Sequence, residues 1–160
     1  MMIDFVHALS KLDIIFIREL TMIKDQPTTT VLLVDDDKDV LFIHKRFLER
    51  MDYKVIVANN GLDALAKFRK NQGKVDMVVS DFQMPEMDGI TMIGEIRKFS
   101  SDLPILVVTG YVDDFLLNSL INYDAVLATK PVTFSVFSSL VESISKAQGA
   151  IRQGGEALLS

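Results

Sequence analysis

The sequence predicts a doubly wound α/β domain built on one five-stranded parallel sheet, and three observations carry that prediction. From Val31 onward, short apolar runs alternate with longer segments of helical period. The runs are rich in Val, Ile and Leu, as strands buried on both faces require. Right-handed crossovers between parallel strands then put helices on both sides of the sheet. The strand-like runs are Val31 to Asp35, Val55 to Ala58, Met77 to Asp81, Ile105 to Thr109 and Ala125 to Thr129.

The intervening segments have amphipathic spacing. Their apolar positions are Val40, Ile43, Phe47 and Leu48; then Leu62, Leu65 and Phe68; then Ile90, Ile93 and Ile96; then Phe115, Ser119 and Leu120. A last helix carries Val136, Phe137, Leu140, Val141 and Ile144. In the fourth helix Leu116 and Leu117 are surplus to the core pattern and are expected to face a partner. The order is therefore (βα) five times, and ligands of such a sheet sit beyond the carboxyl ends of the strands.

Composition narrows the function. With 160 residues and a hydrophobic fraction of 49%, the chain supports one real core. Its 17 Lys+Arg against 22 Asp+Glu give a net charge of -5, with no basic run able to track a phosphate backbone, so direct nucleic-acid binding is not expected. Cysteine is absent, which removes disulfides and thiolate metal sites and fits a reducing, cytoplasmic setting. The apolar opening from Met1 to Ile23 is broken by Asp4, Lys11, Asp13, Arg18 and Glu19, so no membrane span is expected there.

Two flanks surround the domain expected at residues 28–147. Residues 1–27 read as an extra N-terminal amphipathic helix and linker, with Met2, Phe5, Leu9, Leu12, Phe16 and Ile23 near one face. That stripe suits a homodimer or partner helix, with folding back on the domain, or a start of translation at Met22, as the other readings. Residues 148–160 contain Gly149, Gly154 and Gly155 and read as a flexible C-terminal tail.

The chemistry lies at the strand ends: Asp35, Asp36 and Asp37 after the first run, Asp81 at the end of the third, Thr109 at the end of the fourth and Lys130 after the fifth. An isolated Asp after a strand is often only a helix cap or turn former. Four polar strand ends together ask for more. Converging carboxylates about 4 Å apart repel by roughly 4 kcal/mol per pair at an effective dielectric near 20. A hard divalent cation removes that penalty, and an all-oxygen set points to Mg²⁺. Lys130 adds a further positive charge, Thr109 a hydroxyl, and Gly110 room for a backbone N–H to approach an anion. The set suits phosphoryl transfer.

These residues carry a family resemblance. VLLVDDD, VVSDFQMPEMDG, ILVVTG and ATKP, in this order, resemble the four signature blocks of the receiver domains of two-component response regulators, whose fold is the CheY-like variant of the flavodoxin-like fold. The match spans roughly residues 30 to 147. The resemblance implies that Asp81 is the phosphoacceptor, that Asp36 binds Mg²⁺ directly and Asp35 mostly through water, and that the Gln83 backbone carbonyl completes the ligands. It implies that Thr109 and Gly110 contact the phosphoryl group, that Lys130 pairs with it or with free Asp81, and that the bond before Pro131 is cis. Gln83 and Tyr111 hold the positions that tune dephosphorylation. A histidine kinase or phosphotransfer protein is the implied donor and a downstream protein the implied target. Such a domain is no conventional enzyme, although it catalyses its own phosphotransfer and autodephosphorylation. The VTGY run looks more like receivers attached to hybrid histidine kinases than like those of transcription factors.

One position departs from the family. Three residues before Lys130, where the switching aromatic is usual, stands Leu127, or Val126 if the strand bulges. Two alternatives therefore stay beside the phosphoacceptor reading. One is a receiver-fold binding module that ignores phosphate. The other is a haloacid-dehalogenase-type phosphohydrolase, suggested by Asp35 and Asp37 but opposed by Asp39 where that family has Thr or Val. His44 reads as a packed, hydrogen-bonded core histidine, and His7 as exposed or interfacial.

Overall fold

The computed structural model describes residues 28–157. The expected N-terminal helix, and the homodimer it suggested, lie outside those residues.

Five strands form one parallel sheet: β1 (Thr30–Val34), β2 (Lys54–Ala58), β3 (Met77–Ser80), β4 (Ile105–Thr109) and β5 (Val126–Thr129). Their spatial order is β2-β1-β3-β4-β5. Between and after them run α1 (Lys38–Arg50), α2 (Gly61–Lys70), α3 (Gly89–Arg97), α4 (Asp114–Asn122) and α5 (Phe134–Ala157). Chain direction across the sheet reverses between β1 and β3, and a crevice opens beyond strands at such a point.

Strand alternation divides the core into two layers. Leu32, Val34, Val78, Ile105 and Val107 pack with Ala64 and Phe68 of α2, Ile93 and Ile96 of α3, and Leu116 and Leu120 of α4. Val31, Leu33, Val79, Leu106 and Val108 pack on the opposite face with Leu41 and Leu48 of α1 and Phe137 and Val141 of α5. Three helices thus cover one side and two the other.

Each helix before α5 starts on a polar cap whose side-chain oxygen accepts a backbone N–H of the first turn. Asp37 accepts from Asp39 and Val40, Asn60 from Asp63, Asp88 from Thr91 and Asp113 from Leu116. At the other end of the sheet Arg97, the last residue of α3, donates to the carbonyls of Leu103 at 2.6 Å and Tyr123 at 2.7 Å. It thereby ties the segments that lead into β4 and β5.

Several helix faces sit one residue away from expectation. In α4 the buried residues are Leu116, Ser119 and Leu120, whereas Phe115 is 63% exposed. Leu116 is core and not a partner-facing residue; Leu117, Phe115 and Ile121 are the exposed ones. With Asp113 capping, the i, i+3, i+4 set from Leu116 points inward, and Phe115 lies about 100° away around the helix. Leu62, Ile43 and Val136 are likewise exposed, displaced by the Gly61, Ala64, Leu65, Phe68 face of α2, the Leu41, His44, Leu48 face of α1 and the Phe137 and Val141 face of α5. The last helix also continues past residue 147, where a tail was expected, through Gly149, Gly154 and Gly155. An interior glycine costs about 1 kcal/mol relative to alanine, a penalty that does not by itself end a helix.

Candidate functional site

β1 and β3 end side by side, with Val34 opposite Ser80, so the residues that follow them face one crevice. Carboxylate oxygens of Asp35, Asp36 and Asp81 lie within 4.8 Å of one another. Asp35 is buried and Asp36 exposed. From the end of β5 the Lys130 ammonium donates to Asp35 Oδ2 and to Asp81 Oδ2, each at 2.7 Å. The Lys130–Pro131 peptide bond is cis.

Asp81 is held on both sides. Oδ2 receives Lys130, while Oδ1 receives the backbone N–H groups of Phe82 and, at 3.3 Å, Gln83. Its main-chain N–H donates to the Val34 carbonyl at 2.9 Å, which continues the sheet ladder by one bond past β3. Asp35 Oδ1 accepts the Asp37 N–H at 3.0 Å. Asp37, not Asp36, caps α1, and this leaves the Asp36 carboxylate to the crevice.

Burial is the largest influence on Asp35 and raises its pKa against the hydrogen bond from Lys130. Burial would lower Lys130, but its hydrogen bonds to Asp35 and Asp81 outweigh that and hold the ammonium above its ordinary value. Three carboxylates facing one ammonium leave negative charge uncompensated, roughly 3 to 4 kcal/mol of repulsion per carboxylate pair at these separations. The donor set is all oxygen, and it fits a hard divalent cation.

Thr109, at the end of β4 and 1% exposed, accepts the Tyr111 N–H on Oγ1 at 3.3 Å. Gly110 follows it; a Cβ there would meet nothing nearer than Lys130 Cβ at 4.0 Å, so packing of the chain alone does not demand glycine. Gly89 differs. A Cβ on Gly89 would lie 2.2 Å from the Asp81 carbonyl oxygen, and its N–H donates to Phe82 O at 2.8 Å. In the sequence Asp88 and Gly89 stand only as the close of the VVSDFQMPEMDG block. This contact makes Gly89 the residue that lets α3 begin directly against Asp81. Phe82 also escaped sequence reasoning, although it adjoins Asp81: its ring stacks with Tyr111 at 6.4 Å between centroids and 17° between planes. β5 pairs with β4 without a bulge, from Leu106 with Val126 to Thr109 with Thr129, so Leu127 is the residue three before Lys130. It is half-buried and packs on the layer that holds Leu116 and Leu120.

Comparison with known proteins agrees with this geometry. The profile of the response regulator receiver domain matches residues 31–142. Similar chains include the sensor kinase CckA of Brucella abortus, 39% identical over 109 residues that make up 68% of this chain and 11% of that protein. Another is the transcriptional regulatory protein ZraR of Klebsiella oxytoca, 42% identical over 51% of this chain and 18% of that protein. Among solved structures, a response regulator from Chloroflexus aurantiacus superposes with a TM-score of 0.68 at 28% identity, covering 74% of this chain and 98% of that one. The receiver domain of the hybrid histidine kinase CckA does so at 0.63 and 25% identity, over 72% and 98%. The chain belongs to the response regulator receiver domain family. Its likeness to CckA sets it beside receivers of the hybrid-kinase type. It spans between about a tenth and a fifth of the length of those two full-length relatives. Among the described residues no helix is long and apolar enough to cross a membrane.

Proposed function

We propose that the chain accepts a phosphoryl group on Asp81 from a phosphohistidine of a histidine kinase or phosphotransfer protein, and signals through protein contacts in a cytoplasmic phosphorelay. The observation that supports this most is the convergence of Asp35, Asp36 and Asp81 with the Lys130 ammonium bridging two of them.

The reaction is a displacement at phosphorus. A carboxylate oxygen of Asp81 forms the new O–P bond while the N–P bond of the donor breaks, and the imidazole leaves with the electron pair. The N–H groups of Phe82 and Gln83 fix the carboxylate plane, so little reorientation precedes attack. Lys130, held protonated, stands where it can offset charge on the transferring group. Thr109 and Gly110 offer a hydroxyl and an unobstructed backbone N–H to phosphoryl oxygens. Asp35, Asp36, Asp81 and the Gln83 carbonyl would hold Mg²⁺, which when bound supplies positive charge against the phosphoryl oxygens. Gln83 and Tyr111 flank the approach of the water that later removes the group. Bulk at Tyr111 slows that step, and Tyr111→Ala is expected to lose phosphoryl faster; an unchanged rate removes this role.

The test is incubation of the full chain with Mg²⁺ and acetyl phosphate or phosphoramidate. A single acid-stable, base-labile phosphoryl adduct is expected, absent in Asp81→Asn. No adduct, or one that persists in Asp81→Asn, overturns the reading.

A further inference from the structure

Beside Asp81, between the β3–α3 and β4–α4 loops, lies an open groove of about 600 Å³. Its walls are aromatic. Phe82 and Tyr111, which stack, line it together with Phe115, and Tyr111 and Phe115 are 46% and 63% exposed. Exposed rings in a concave setting are the kind of surface that a partner's anchoring side chain fills. The rim is acidic: three of the nine lining residues are Asp and none is basic. Two of those three, Asp88 and Asp113, cap helices and lie outside the carboxylate cluster. Such a groove complements a lysine or arginine, whose stem packs on aromatic faces while its charge meets the rim.

Two hydrogen bonds connect this surface to the phosphoryl chemistry. The Phe82 N–H donates to Asp81 Oδ1, and the Tyr111 N–H donates to Thr109 Oγ1. Each ring of the stack is therefore tethered through its own backbone N–H to a residue that a phosphoryl group on Asp81 would engage. A Thr109 hydroxyl drawn toward phosphate carries away the acceptor of the Tyr111 N–H, which releases the main chain that bears the ring and lets the stack on Phe82 rearrange. Leu127, aliphatic and packed in the core, has no ring to move in response.

We propose that this groove docks a protein segment presenting an apolar side chain next to a lysine or arginine, and that the Tyr111–Phe82 stack reshapes it when Asp81 is phosphorylated. The proposal rests on Asp81 being the phosphoacceptor, and its test reports on the two separately. Full chain carrying fluorotyrosine is studied by NMR with Mg²⁺, before and after phosphoramidate. The probes are the capped peptide acetyl-Ala-Leu-Arg-Ala-amide and its counterpart with Glu for Arg. On phosphorylation the Tyr111 fluorine signal, identified by its loss in Tyr111→Phe, should shift more than those of Tyr53 and Tyr123. The Arg peptide should then perturb residues 82–85 and 111–115 and bind several-fold more tightly than to the unmodified chain. The Glu peptide should not bind. The double variant Asp88→Asn, Asp113→Asn keeps both helix caps, because Asn caps as well as Asp, and should weaken the Arg peptide several-fold. A verified adduct on Asp81 with a stationary Tyr111 signal overturns the proposal and leaves the phosphoacceptor reading intact. So does equal binding of the two peptides, perturbation elsewhere, or no perturbation at all. Absence of the adduct overturns both.

Discussion

Asp35 is 2% exposed and would be a costly charge to bury alone; the Lys130 ammonium at 2.7 Å is what makes it tolerable. Because Lys130 also pairs with Asp81, replacing it by methionine leaves two carboxylates without their cation. Lys130→Met is expected to lower stability by roughly 2 to 4 kcal/mol, read from urea midpoints in chelator at pH 7. Among the described residues His44 is the other buried titratable side chain. Its ring stacks on Phe137 at 5.1 Å between centroids, and burial depresses its pKa to about 4. Unfolded, the imidazole takes a proton below about pH 6.5; folded, it does so only below about 4. The contribution of His44 to stability is therefore complete above pH 7 and declines as pH falls through this window. The expected loss at pH 5 is roughly 1 to 2 kcal/mol, allowing for some solvent access. His44→Leu should flatten that part of the pH–stability curve, measured by urea titration at pH 7 and pH 5.

At the scale of elements, α3 begins against Asp81 with no space to spare. Gly89→Ala forces a Cβ into the Asp81 carbonyl, and a loss of roughly 1 to 3 kcal/mol is expected on denaturant unfolding, with slower adduct formation on Asp81. The strands were legible because parallel sheets buried on both faces demand uninterrupted Val, Ile and Leu, and Leu32, Leu106 and Val107 are all fully buried. Asp35, Asp36, Asp81 and Lys130 were legible because polar residues ending such runs have few structural reasons to be there. The helix faces were harder to read. α4 is so apolar that a frame through Phe115 looks as good as one through Leu116, and the register is set by the Asp113 cap and by the sheet it lies on. Phe82 and Gly89 were illegible as site residues for a different reason. What defines them is proximity across loops, to Tyr111 and to the Asp81 carbonyl, and no local period records that.

Across the whole molecule, the sheet is buried unevenly. β1, β3 and β4 are almost wholly enclosed, whereas β2 and β5 at the edges have mixed exposure. Native-state hydrogen exchange should therefore show stronger amide protection at 31–34, 78–80 and 105–109 than at 54–57 and 126–128. A cation held by the carboxylate cluster stabilises the entire fold through binding. Mg²⁺ at about a hundredfold over its dissociation constant should add close to 2.7 kcal/mol, seen as a raised melting temperature. Asp36→Asn should lose most of that increment. The crevice also has a counterpart at the opposite pole, where Arg97 gathers the carbonyls of Leu103 and Tyr123. Each pole is thus tied by one cation, Arg97 across the carbonyls of Leu103 and Tyr123 at one end and Lys130 across Asp35 and Asp81 at the other, so the strands are clamped at both of their ends.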